Sequence, residues 1–166
     1  MLNGMISSVS GVVNTSGTNL TVDSDAIFDD TSTSNIAIGR LALNSTSSAE
    51  SGTDYNIAIG TESLTDLAGG DYNIAIGHRA LDSAVLADHN IGIGAYALDN
   101  IAGASDNIGM GYSALGNLEH DGASKNIAIG NYAGDGMGNI AQIKNILIGY
   151  NAGGGTWGGT ASNNNI

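Results

Sequence analysis

One nine-residue phrase, Asn73-Ile74-Ala75-Ile76-Gly77-His78-Arg79-Ala80-Leu81, is written seven times along this chain with small changes. The copies begin at Asn35, Asn56, Asn73, Asn90, Asn107, Asn126 and Asn145, at steps of 21, 17, 17, 17, 19 and 19 residues. Counting the Asn as position one, position four is Ile or Met and position five is Gly in every copy. Position eight is Ala or Ser, and position nine is Leu except at Gly134 and Gly153. Recurrence at such a period marks a chain that stacks one unit on the next, because a single unit cannot bury its apolar side alone. The expected fold is all-β, a parallel β-solenoid or β-roll of about seven to eight coils. On the same reading, Asn165-Ile166 opens an eighth copy.

Each position has an expected part in the coil. Positions two and four are large and β-favouring, so they share one face of a strand, which is assigned to the core together with position nine: Ile74, Ile76 and Leu81 in the third copy. Position three points the other way and is small at Ala37, Ala58, Ala75, Gly92, Gly109 and Ala128, becoming Leu only at Leu147. A solvent-facing site would carry polar residues, so these six are the candidate interface between chains of a homotrimer. Gly at position five permits a tight turn, and the Asn of position one is expected to stack on its equivalents as a ladder of side-chain amides. A further apolar residue follows in each connection: Leu67, Val85, Ile101, Leu118, Ile140 or Ile143, and Trp157. The Leu-x-x-Leu/Ile spacing at Leu64/Leu67, Leu98/Ile101 and Leu115/Leu118 fits either one short helical turn or a bent second strand. Stacked at about 4.8 Å per step, the column is only about 34 Å tall. Such a thin column with open strand edges calls for partners, which is the second reason to expect a trimer.

Two segments follow from the patterning, 1–34 as an N-terminal attachment or capping piece and 35–166 as the repeat solenoid. The first residues lack a basic stretch and an unbroken apolar run, so they read as neither a signal peptide nor a membrane helix. Composition narrows the function classes. The chain has 26 Gly, no Pro and no Cys among 166 residues, which suits turn-rich layers whose every backbone N–H can join a ladder, and excludes disulfides and thiolate metal sites. Its formal net charge is −12, and its strong cations are Arg40, Arg79, Lys125 and Lys144. That surface repels phosphate backbones and anionic lipid, so neither nucleic acid nor membrane insertion is expected.

The Asn-Ile-Ala-Ile-Gly copies from residue 35 onward resemble the repeats of bacteriophage tail-fibre proteins. They are also similar to the heads of trimeric autotransporter adhesins, whose Asn-x-x-Ala-Ile-Gly coils form a left-handed parallel β-roll. The resemblance implies a trimeric β-solenoid with a structural or adhesive role and no cofactor. It implies a virion protein in a phage tail or fibre, partnered by its own copies, by other virion proteins and by a host surface glycan or protein. The alternatives are a bacterial trimeric adhesin head on the cell surface and a capsid-attached fibre; a glycan-degrading tailspike enzyme ranks below these, and no enzyme activity is expected. The coil steps here exceed the shorter ones usual in autotransporter heads.

Candidate chemistry is sparse. Asp66, Asp71, Asp82, Asp88, Asp99 and Asp106 recur in the connections, where paired carboxylates would suit glycoside cleavage, but Asp is also a favoured turn residue. Asp23-Ser24-Asp25 opens like a calcium loop without its Gly and terminal Glu, and the stretch Gly134 to Asn139 matches a calcium nonapeptide only loosely. His78, His89 and His120 lack zinc spacing. The six tyrosines are in register with the motif: Tyr55 and Tyr72 directly before the Asn, and Tyr96, Tyr112, Tyr132 and Tyr150 just past the Gly. The last four are candidate glycan contacts through ring faces and hydroxyls, set against a purely structural role as clamps between turns.

Overall fold

The computed structural model describes residues 35–44, 53–84, 86–138 and 141–155. Each copy of the phrase contributes one three-residue strand: β1 (Ile36–Ile38), β2 (Ile57–Ile59), β3 (Ile74–Ile76), β4 (Ile91–Ile93), β5 (Ile108–Met110), β6 (Ile127–Ile129) and β7 (Ile146–Ile148). They pair in chain order, all parallel, as one seven-stranded sheet with like positions of the repeat aligned; Ile74 lies beside Ile91, Ala75 beside Gly92 and Ile76 beside Ile93. The described chain is therefore a β-solenoid of about six turns, with no helix among the described residues. The Leu-x-x-Leu spacing forms neither a helical turn nor a full second strand. It is a tight turn that carries only isolated bridges such as Asn100 to Asn117.

Hydrogen bonding explains why the coil closes. The Ile74 N–H donates to Asn90 O at 2.8 Å and Gly94 N–H to Ile76 O at 2.8 Å, the slanted pattern of a parallel ladder. Bonding between coils continues beyond the strands, as Tyr96 N–H to His78 O at 3.0 Å and Leu81 N–H to Ala97 O at 3.0 Å. From Gly39 to Gly130 position five is closed to any side chain by the backbone of the next coil. Gly77 has φ +139°, and a Cβ placed there would lie 2.5 Å from the carbonyl oxygen of Gly94 on the next coil. Position nine is left-handed at Leu64, Leu81, Leu98 and Leu115, with φ between 51° and 55°, and Gly134 and Gly153 take the same region at 69° and 65°. The two glycines thus keep the backbone turn of the other copies, which Gly adopts at no steric cost.

The faces of the strand are the reverse of the expected ones. Ala37, Ala58, Ala75 and Ala128 are wholly buried inside the single chain, and Gly92 and Gly109 are buried with them. Position three therefore points into the coil and is not available to another chain. The reason is the size of the coil. Sharp left-handed turns at both ends of the strand and again at position nine enclose a narrow interior. A Cβ on Gly92 would already meet Leu81 Cδ1 at 3.3 Å and Ala97 O at 3.1 Å. Two Ile side chains per coil do not fit in that space, so positions two and four turn outward: Ile74 is half-buried and Ile76 exposed, while Leu81 is the core residue it was expected to be.

The core is a single column of Ala from positions three and eight, Leu from position nine and one larger residue from the connection. Leu67, Ile101 and Leu118 fill that last place as expected. In the third coil the small Ala84 takes that place, and in the sixth Met137 does, instead of Ile143, which stays only partly buried. Val85, Ile140 and Trp157 lie outside the described residues, as does the 1–34 segment.

The Asn ladder is present and more elaborate than simple stacking. From Asn35 to Asn126 each side-chain oxygen accepts the backbone N–H of the next Asn, as Asn73 Oδ1 from the Asn90 N–H at 2.9 Å and Asn90 Oδ1 from the Asn107 N–H at 2.9 Å. From Asn35 to Asn126 each side-chain Nδ2 ties the strand to its own connection, as Asn90 to Ala104 O at 2.9 Å and Asn126 to Gln142 O at 2.8 Å. Asn56, Asn73, Asn90, Asn107, Asn126 and Asn145 are fully buried, which polar amides tolerate only when bonded in this way.

Candidate functional site: an apolar strand face between two aromatic edges

Turning positions two and four outward leaves one Ile-rich stripe up the side of the solenoid. Every strand places two large apolar side chains on it, and Ile36, Ile76, Met110, Ile129 and Ile148 are 36–68% exposed. An unbroken apolar stripe on a chain of net charge −12 is unlike a solvent-facing surface, where such patches stay small.

The stripe has two edges, each fixed by a left-handed residue. On the entry side, position zero has φ near 60° at Tyr55, Tyr72, His89, Asp106, Lys125 and Lys144. Tyr55 and Tyr72 stack face to face at 4.9 Å, and Tyr72 stacks on His89 at 5.1 Å. On the exit side, beyond the Gly, the four tyrosines singled out as glycan contacts come together. Tyr96, Tyr112, Tyr132 and Tyr150 form an edge-to-face run with centroids 5.7, 5.2 and 6.1 Å apart, and His78 continues it below Tyr96 at 5.3 Å. The Arg79 guanidinium carbon lies 5.6 Å from the Tyr96 ring centre. The turn itself does not demand tyrosine: Thr61 and Ala95 stand at position six and Glu62 and Ser113 at position seven, with the same left-handed backbone at Glu62 and Ser113.

The connection carboxylates act as fastenings between coils. Asp71 Oδ1 accepts the Asp54 N–H at 2.7 Å, and Asp88 Oδ1 the Asp71 N–H at 2.8 Å. Asp82 is nearly buried and takes Arg79 Nε at 2.7 Å and Nη2 at 2.6 Å on one oxygen. Asp99, on the next coil, is held above the ordinary carboxylate pKa, chiefly by burial, with Arg79 opposing and Asp82 adding to the shift; its Oδ1 is buried without a hydrogen-bond partner. The three histidines are not brought together. His78 and His89 belong to different aromatic edges, and His120 Nδ1 accepts the Gly122 N–H at 2.9 Å. Among the described residues no group of three His, Cys, Asp or Glu stands close enough to hold a metal ion. The Asp23-Ser24-Asp25 stretch and Asn139 lie outside them.

Sequence reasoning missed the outward Ile face itself. The signal was present in position three, whose Ala and Gly are the sizes a narrow interior admits. Comparison with protein-family models, with curated proteins and with solved structures finds no match to this chain. No helix of the described residues is long and apolar enough to cross a membrane.

Proposed function

We propose that the chain is a structural segment of a phage tail fibre, a homotrimer whose three solenoids pack through their Ile faces and project from the particle as a stiff acidic rod that contributes to attachment at the host surface. The observation that carries this reading is the continuous outward stripe of Ile36, Ile76, Ile129 and their equivalents, which a lone chain leaves in water. Fully burying an Ile side chain contributes about 1.5–3 kcal/mol, and the partly exposed side chains of this stripe each retain a fraction of that, summed over seven strands. The likeness of the repeats to tail-fibre sequences supports the placement on a virion. The mechanical role follows from the bonding: each coil is tied to the next through strand, turn and buried amide, so the column resists bending and proteolysis. The test is labelling of purified phage particles with an antibody raised against this chain, viewed by electron microscopy. Decoration of thin projections at the tail is expected, and decoration of bacterial surfaces alone would refute it in favour of a cellular adhesin.

A further inference from the structure

We propose that Asp121-Gly122 is a self-modifying site, at which the Asp121 carboxyl closes onto the Gly122 nitrogen with His120 as proton carrier and reopens as isoaspartate. The inference does not depend on how the chains assemble. Asp followed by Gly stands twice in the sequence, at Asp121-Gly122 and Asp135-Gly136, and the two settings differ. His120 to Ala123 form a tight turn in the connection between β5 and β6, closed by the Ala123 N–H on His120 O at 2.8 Å. Asp121 and Gly122 are both exposed at its tip. The Gly122 N–H is not spent on a neighbouring coil. It donates to His120 Nδ1 at 2.9 Å, within the reach a general base needs. An imidazole nitrogen that accepts an N–H is the unprotonated one of the ring, so it is the nitrogen able to take that proton.

The surroundings leave room for the reaction at one pair and not at the other. Asp121 Cγ lies beside Gly103 of the coil below, 3.4 Å from the point where a Cβ on that glycine would stand. A Cβ on Gly122 would meet side chains first, His120 Nδ1 at 3.3 Å and Ala141 Cβ at 3.5 Å. Asp135 and Gly136 are half-buried and held. Asp135 Oδ1 accepts the Ser113 hydroxyl at 3.0 Å, and a Cβ on Gly136 would run into the Gly155 carbonyl of the next coil.

The chemistry uses only the chain and water. As the Gly122 N–H proton passes to His120 Nδ1, the nitrogen attacks Asp121 Cγ of the carboxylic acid form and the C–N bond forms. The imidazole returns the proton to the carboxyl hydroxyl, the C–O bond breaks and water leaves, closing a succinimide. One water then reopens the ring. Attack at Cγ restores aspartate, whereas attack at the Asp121 backbone carbonyl carbon leaves the chain running through Cβ and Cγ as isoaspartate. The added methylene falls between His120 O and the Ala123 N–H, so this turn is what opens. The flanking strands keep their own ladder, as Ile108 N–H to Asn126 O at 2.8 Å.

The purified chain, incubated at physiological temperature and digested at intervals, gives the test by liquid chromatography with mass spectrometry. Succinimide is one water lighter, and isoaspartate is a second peak of unchanged mass that an isoaspartyl methyltransferase labels. Asp121 is expected to convert about tenfold faster than Asp135 in the folded chain, because only there are base and nucleophile held together. In urea, where both pairs are merely Asp before Gly, the two rates are expected to come within about threefold of each other. His120→Gln keeps a hydrogen-bond acceptor at the turn without a base, and is expected to slow Asp121 about fivefold in the folded chain. No conversion at Asp121, or equal conversion at both sites of the folded chain, would overturn the site. A tenfold difference that persists in urea would overturn the part given to the fold, and an unchanged rate in His120→Gln the part given to His120.

Discussion

Leu147 reaches to within 3.1 Å of the point where a Cβ on Gly134 would stand, so the position-three leucine of the seventh coil fills the space that position nine of the sixth leaves empty. Leu115 Cδ2 closes the same space from the coil below, at 2.6 Å from that point. Elsewhere the pairing is Ala or Gly at position three with Leu at position nine. At this end of the column the large and small residues have changed places and the interior keeps its volume, as close packing requires. A double-mutant cycle exposes the exchange. Gly134→Leu alone overfills the coil and Leu147→Ala alone leaves a cavity, each costing about 2–4 kcal/mol. The pair together restores the arrangement of the other coils and recovers at least half of that in thermal or urea melts. Strict additivity would contradict the account.

The buried Asn ladder predicts a sharper dependence on a polar residue than on most core apolar ones. In Asn90→Ala, the Asn107 N–H loses its acceptor and Ala104 O loses its donor, both away from water. Unsatisfied buried groups cost about 1–3 kcal/mol each, so a loss of about 2–4 kcal/mol is expected in denaturant melts. A change below about 0.5 kcal/mol would show that the amides merely stack and do not tie coils together.

How much of this was legible beforehand divides along a physical line. Chain-level periodicity is local information, and it placed all seven strands, the Gly turn and the Asn ladder. The direction of the strand faces is not local. It depends on how wide a coil the connections allow, and that width is set by left-handed residues such as Leu81, Arg79 and Tyr72, whose conformation no propensity favours. With the width unknown, the rule that large apolar side chains go inside assigned Ile76 to the core and Ala75 to a contact between chains, whereas Ala75 is found inside the coil and Ile76 outside. The tyrosine register was readable. That the six rings divide between two edges of one apolar face was not, because it requires knowing which face lies between them.

Asp99 gives a pH signature. Its pKa in the folded chain is raised above the ordinary 3.8, burial being the leading cause. The folded state then holds the proton more firmly than the unfolded one. Stability from this group is therefore greatest below the ordinary carboxylate value, and it declines as pH rises through the raised value of the folded chain. Asp99→Asn removes the charge, so its melting temperature is expected to exceed that of the unmodified chain at neutral pH. The difference should shrink as pH falls toward 3.8. A difference that stays constant or grows on acidification would contradict the assignment.

Assembly through the Ile face is the central claim, and sedimentation equilibrium at micromolar concentration tests it most directly. The unmodified chain is predicted to have three times its 16.6 kDa chain mass. Ile93→Asp/Ile108→Asp, which places charges in the middle of the stripe on β4 and β5, is predicted to sediment at the single-chain mass with its β-sheet circular dichroism retained. An unmodified chain that is monomeric under these conditions, or a double variant that remains trimeric, would contradict the account.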